Sequence, residues 1–117
     1  MKQKNKNPSL KELRDTLGDP YRIYGIDGEW CLYRDFGNGF NVEVSGVSKA
    51  NTKNLATLFL WFGDTCPDCM IVKTVGRIGR SAEEIGAAVE RLYALSEELI
   101  ASGCANWDTL WKRKGKV

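Results

Sequence analysis

Residues 55–78 read LATLFLWFGDTCPDCMIVKTVGRI, and the way this stretch divides decides the fold. Leu55 to Phe62 is apolar on both faces of an extended chain: Leu58, Leu60 and Phe62 on one, Phe59 and Trp61 on the other. A strand apolar on both sides belongs inside a sheet, not at its edge. A turn-rich loop carrying Cys66-Pro67-Asp68-Cys69 follows. Met70 to Val75 then gives a run of β-branched residues with Lys73 as its one charge, and Gly76 and Gly79 bracket its exit. The stretch therefore predicts two central antiparallel strands joined by a hairpin loop.

Upstream, Phe40, Val42 and Val44 alternate with Asn41, Glu43 and Ser45, which predicts a half-buried strand with one wet face. The turn signal Gly37-Asn38-Gly39 separates it from a strand over Glu29 to Asp35, and Asp27-Gly28 separates that from a first strand over Tyr21 to Ile26. Residues 48–54 are polar and without period, hence loop. Ser9 and Glu12 form a capping box that opens a short helix, with Leu10, Leu13 and Leu17 on one face and Gly18 and Asp19-Pro20 at its end.

Downstream, Ser81 and Glu84 form a second capping box, opening a helix over roughly Ala82 to Ser102. Its stripe of Ile85, Ala88, Val89, Leu92, Leu95 and Leu99 is wide enough to cover a sheet. Asn106 caps a last turn, Trp107 to Trp111. Strands joined in order by short turns make a meander, and helices at the two ends pack on one of its faces. The expected fold is α+β with two layers: an antiparallel meander of about five strands, an N-terminal helix and a long C-terminal helix on one face. A basic leader (1–8) and a basic tail (112–117) flank a single domain (9–111).

Composition bounds the function. Hydrophobic residues at 43% and charged residues at 27% are globular values. No apolar run reaches the ~20 residues of a membrane span, and the polar start MKQKNKNP lacks the features of a signal peptide. These features point to the cytoplasm, where Cys31, Cys66, Cys69 and Cys104 are expected to be reduced. Lys2, Lys4, Lys6, Lys112, Arg113, Lys114 and Lys116 lie at the two ends. Residues 11–110 keep 10 of the 17 basic residues against all 15 acidic ones, a formal charge of −5. The chain has no histidine, which excludes Ser-His-Asp and Cys-His catalysis within one chain. It has no phosphate-binding glycine loop either.

The loop between the two central strands has three readings. With its preceding strand, residues 59–69 (FLWFGDTCPDC) resemble the active-site stretch of thioredoxin-like and glutaredoxin-like oxidoreductases. The resemblance implies that Cys66 attacks and Cys69 resolves, with a helix N-terminus lowering the first thiol's pKa. It also implies a helix after the second cysteine and a proline at the start of a later strand. Here Met70 begins a β-branched run, and no proline follows Pro67. The second reading is half a zinc knuckle, completed by Cys31 and Cys104, although no spacing signature joins them. The third is a structural hairpin loop with Pro67 at its corner. The structural reading is preferred, and no metal or cofactor is expected.

Trp107 and Trp111 fall on one face of a helical turn, followed by Lys112, Arg113 and Lys114. The tryptophans are expected to dock the segment onto the sheet. Alternatively, the cations meet phosphates while an indole stacks a base or packs on a partner. Glu83, Glu90 and Glu97 on the long helix offer an acidic face to a basic protein surface, and an edge strand offers pairing to a partner or a second copy. These features predict a small non-catalytic cytoplasmic binding or regulatory protein, of a mobile-element or an inhibitor type, acting on an unknown protein partner without a membrane. The alternatives are a thiol redox protein using Cys66 and Cys69, and a nucleic-acid binder using the basic termini.

Overall fold

The structure is a computed structural model that describes residues 7–26, 28–48, 55–63 and 69–115. In chain order its elements are α1 (Leu10–Leu17), β1 (Arg22–Ile26), β2 (Glu29–Asp35), β3 (Phe40–Ser45), β4 (Leu55–Phe62), β5 (Met70–Gly79), α2 (Ala82–Ala101) and α3 (Trp107–Gly115). The five strands form one antiparallel sheet in the order β1-β2-β3-β4-β5. This is the α+β two-layer meander that the spacing of turn signals predicts. The leader before Asn7, most of the loop at 48–54 and the Cys66 half of the hairpin loop lie outside the described residues.

The register puts apolar residues in rows across the sheet. Leu32, Val44, Leu58 and Val75 are cross-strand partners in one row, and Phe40, Phe62 and Met70 in another. Ile85, Ala88, Val89, Leu92 and Leu99 of α2 join Leu13 of α1 in the same buried cluster. Burying each such Leu, Ile or Val removes it from water for roughly 1.5–3 kcal/mol. α1 lies against β1, β2 and α2, α2 crosses β3, β4 and β5, and α3 rests at β5. Both caps form. At α1 the full box forms, Ser9 Oγ accepting from the Glu12 amide while the Ser9 amide donates to Glu12 Oε1. At α2 Ser81 Oγ accepts from the Glu84 amide, but Glu84 Oε1 accepts from the Ser81 hydroxyl, so the expected second box is replaced by a simple cap.

Four local expectations need correction. First, β3 has no wet face: Phe40 through Val44 are all buried. The polar residues of its second face are covered by β4 and bonded, with Asn41 Nδ2 donating to the Gly63 carbonyl at 3.1 Å and Glu43 accepting from the Trp61 indole at 3.0 Å. Second, β5 does not stop at Val75 but runs for ten residues to Gly79. Two register shifts against β4, between Ala56 and Leu58 and between Leu60 and Trp61, absorb extra residues, and Arg77 takes a φ of 60°. A bulge lets a strand continue past residues that break simple alternation. Third, the last helix runs past Trp111 to Gly115. Fourth, the residue that fixes α3 to the core is Leu110, at 1% exposure, and not the tryptophan pair.

Candidate functional site

The two edges of the sheet differ. β5 carries two bulges, Lys73 and the Arg77 kink, all devices that blunt an edge. β1 is short, five residues, but pairs with β2 in unbroken register from Arg22 to Ile26. Four of its five residues are exposed, and Arg22 is its one charge. Tyr24 stacks on Tyr33 of β2 with centroids 4.7 Å apart and planes at 11°. Gly25 pairs with Trp30, whose indole lies over it: a Cβ built at Gly25 would sit 3.6 Å from the ring's Cζ3. Trp30 is 62% exposed and Tyr24 48%, so the strand and its neighbour expose an aromatic side chain on each face at this rim of the sheet.

A second exposed aromatic surface lies on α3. Asn106 Oδ1 caps it by accepting from the Thr109 amide at 2.9 Å. With Leu110 turned into the core, Trp107 and Trp111 are left outside, stacked on each other with centroids 5.2 Å apart. Lys112 and Arg113 follow, both exposed. Lys114 falls in the last turn of the same helix.

The glutamates of α2 divide. Glu90 pairs with Arg34 of β2 at 2.9 Å, and that guanidinium lies 5.2–5.7 Å from the ring centroids of Tyr21, Phe36 and Tyr93. Burial alone would lower the Arg34 pKa, but the bonds to Glu90 and Tyr21 more than offset this and the group is held above its ordinary value. Glu97 accepts from Asn38 Nδ2 at 2.8 Å, and the same amide reaches Ser96 Oγ at 3.0 Å. Glu90 and Glu97 thus fasten α2 to the strand end and turn beside it, whereas Glu83 is exposed in the first turn of the helix.

The cysteines separate as well. Cys69 is disulfide-bonded, while Cys31 and Cys104 remain thiols. The expectation that all four are reduced is therefore wrong for Cys69. That expectation came from the compartment, which says nothing about which sulfurs the fold brings within bonding distance. Cys69 is followed directly by β5, so the helix that activates the thiol pair in thioredoxin-like proteins is not built here. The Cys31 thiol is fully buried and donates to Glu43 Oε2 at 3.6 Å. Glu43, at 7% exposure, has both carboxylate oxygens engaged, which anchors it on this face of the sheet.

Among the described residues, no three His, Cys, Asp or Glu side chains gather as a metal ion would need, and no helix is long and apolar enough to cross a membrane. Sequence reasoning did not single out Tyr24 or Trp30. The signal was Gly25, a residue without a side chain one strand away from a tryptophan. No family model matches the chain, and no curated protein or solved structure matches it.

Proposed function

We propose that this chain is a small binding protein without catalysis of its own, which takes an extended segment of a protein partner onto the β1 edge. The supporting observation is the asymmetry of the sheet: β5 is bulged, kinked and charged, while β1 is in unbroken register and flanked by exposed Tyr24 and Trp30. Added strands gain affinity from main-chain hydrogen bonds and specificity from side chains on the two faces. A partner segment with apolar residues at adjacent positions, which point to opposite faces, would meet Tyr24 on one face and Trp30 on the other. Co-purification of the tagged wild type and of Tyr24→Lys from the native host tests this. The wild type should recover a partner that Tyr24→Lys loses. A partner retained equally by both forms, or a wild type that always elutes alone, overturns the reading. A wild type that elutes at twice its own mass, reverting to one with Tyr24→Lys, identifies the partner as a second copy.

The exposed Trp107–Trp111 stack supports a second reading, in which α3 carries single-stranded nucleic acid, bases lying on the outer indole faces and phosphates meeting Lys112, Arg113 and Lys114. The formal charge of −5 on residues 11–110 works against it, since a nucleic-acid face usually makes its whole domain basic. Binding to a labelled oligonucleotide that weakens with salt and disappears in Trp111→Ala would establish it. Absence of a salt-dependent shift would dispose of it.

We further propose, by elimination, that Cys66 is the partner of Cys69, since Cys31 and Cys104 are thiols and the chain has four cysteines. Mass mapping of unreduced protein from its host should find Cys66 and Cys69 in one cross-linked peptide, and a Cys69 joined to another cysteine would sink the pairing. The disulfide pulls against a cytoplasmic placement, because disulfides persist in oxidising compartments and rarely in reducing ones. Both thiols recovered alkylated from freshly lysed cells would restore it.

A further inference from the structure

The β1 rim does not account for a cavity of about 440 Å³ between the start of α1, the start of β2, the segment after β3 and the end of β5. We infer that it is a binding site for a small organic anion with a flat apolar body. Its size lies in the range of small-molecule sites, roughly 300–1,000 Å³. Pro8, Leu10 and Val47 supply apolar wall, and the exposed indole of Trp30 supplies a flat one. The polar residues lining it are two cations, Arg80 and Lys11, one carboxylate, Glu12, and the neutral Asn7, Ser9 and Ser48.

Arg80 carries the argument. It lines the cavity and is only 5% exposed, so its charge is placed within the protein rather than out in solvent. A guanidinium has five N–H donors in a planar fork that matches carboxylate, sulfonate or phosphate oxygens, enough to serve a ligand as well as a protein partner. Lys11 adds a second positive charge at the mouth, although its ammonium also meets Asp15 at 2.9 Å. One carboxylate opposes them. Glu12 lines the cavity too, but its Oε1 accepts from the Ser9 amide at 2.8 Å and is held in the cap of α1. The local balance favours an anion, and an aromatic or otherwise flat body is what an exposed indole ring can hold.

Three probes test the site by isothermal titration on the full chain: 1-naphthalenesulfonate, the uncharged 1-naphthalenemethanol and inorganic sulfate. The sulfonate should bind saturably at one per chain, with each of the other two at least about tenfold weaker. Trp30→Ala should weaken the sulfonate about tenfold and Lys11→Gln about threefold, and both sit at exposed positions where folding is unaffected. Arg80→Gln should abolish binding. If that variant fails to fold, the two exposed variants still decide. Tyr24→Lys should leave binding unchanged, which separates this site from strand addition at β1. Equal binding of the uncharged compound, equal binding of sulfate, sulfonate affinity unmoved in both Trp30→Ala and Lys11→Gln, or no saturable binding would each overturn the inference.

Discussion

Leu110 and Trp111 are adjacent in the chain and have opposite surroundings. The leucine is sealed in the core cluster and the tryptophan stands 55% exposed against Trp107. Leu110→Ala should therefore cost about 2–4 kcal/mol in urea denaturation, the usual cost of hollowing a packed site. Trp111→Ala should stay within about 0.5 kcal/mol, and a loss as large as that of Leu110→Ala would mean that the indole is the true anchor. Residue hydrophobicity assigned these roles the wrong way round, because the larger side chain promised more burial. The helical phase of α3 against β5 settles the matter, and a single turn of sequence does not contain it. Tyr21 gives a pH prediction. Burial pushes its phenol up, against the opposing pull of Arg34. A raised folded-state pKa means that the unfolded chain ionises first, from about pH 10. The stabilisation is complete below that pH and is lost as pH rises through the folded-state value. Between pH 9 and 11 the wild type should lose stability more steeply than Tyr21→Phe, as read from urea midpoints. Parallel profiles would show that Tyr21 ionises alike in both states.

At the scale of elements, Ser81 and Glu84 bond to each other at the junction between β5 and α2. Ser81 Oγ accepts from the Glu84 amide at 3.1 Å and donates to Glu84 Oε1 at 2.8 Å. A Cβ at Gly79 would run into that same Glu84 carboxylate. Ser81→Ala should cost about 1 kcal/mol through the lost cap. Gly79→Ala should cost less, because what it drives out of place is the flexible end of an exposed side chain. Because both changes break the Ser81–Glu84 contact, the double variant should lose less than the two single losses added together. Full additivity in thermal or urea unfolding would show that the two residues act separately. Both caps were legible in the sequence, since Ser-x-x-Glu before an apolar stripe is a local signal. The burial of β3 was not. Its alternation of Val with Asn and Glu is the pattern of a half-wet strand, and only the residues opposite, Trp61 and the end of β4 at Gly63, show that Asn41 and Glu43 are roofed and bonded. The extension of β5 was hidden in the same way, because a bulge needs a partner strand to be seen.

For the whole molecule, the order of strands was legible because each hairpin is announced by its own turn residues. Which edge is open was not, because that depends on bulges and on the strand that happens to stand last. The same architecture sets a gradient of stability. β3 is sealed on both faces and paired on both sides, so its amides can open only when the sheet comes apart. α3 is held to β5 chiefly by Leu110, a burial worth roughly 1.5–3 kcal/mol, while a domain of this kind unfolds as a whole for about 5–15 kcal/mol. Local undocking of α3 should therefore precede global unfolding. In native-state hydrogen exchange, amides of α3 should exchange at least about thirtyfold faster than those of Asn41 to Val44, since the smallest difference between those ranges, about 2 kcal/mol, corresponds to that factor. Added urea should accelerate the β3 amides steeply and the α3 amides only slightly, because undocking one helix exposes little surface. Leu110→Ala should raise α3 exchange further. Equal protection and equal urea dependence in α3 and β3 would instead show one cooperative unit, in which the exposed Trp107–Trp111 face is as rigidly presented as the β1 rim.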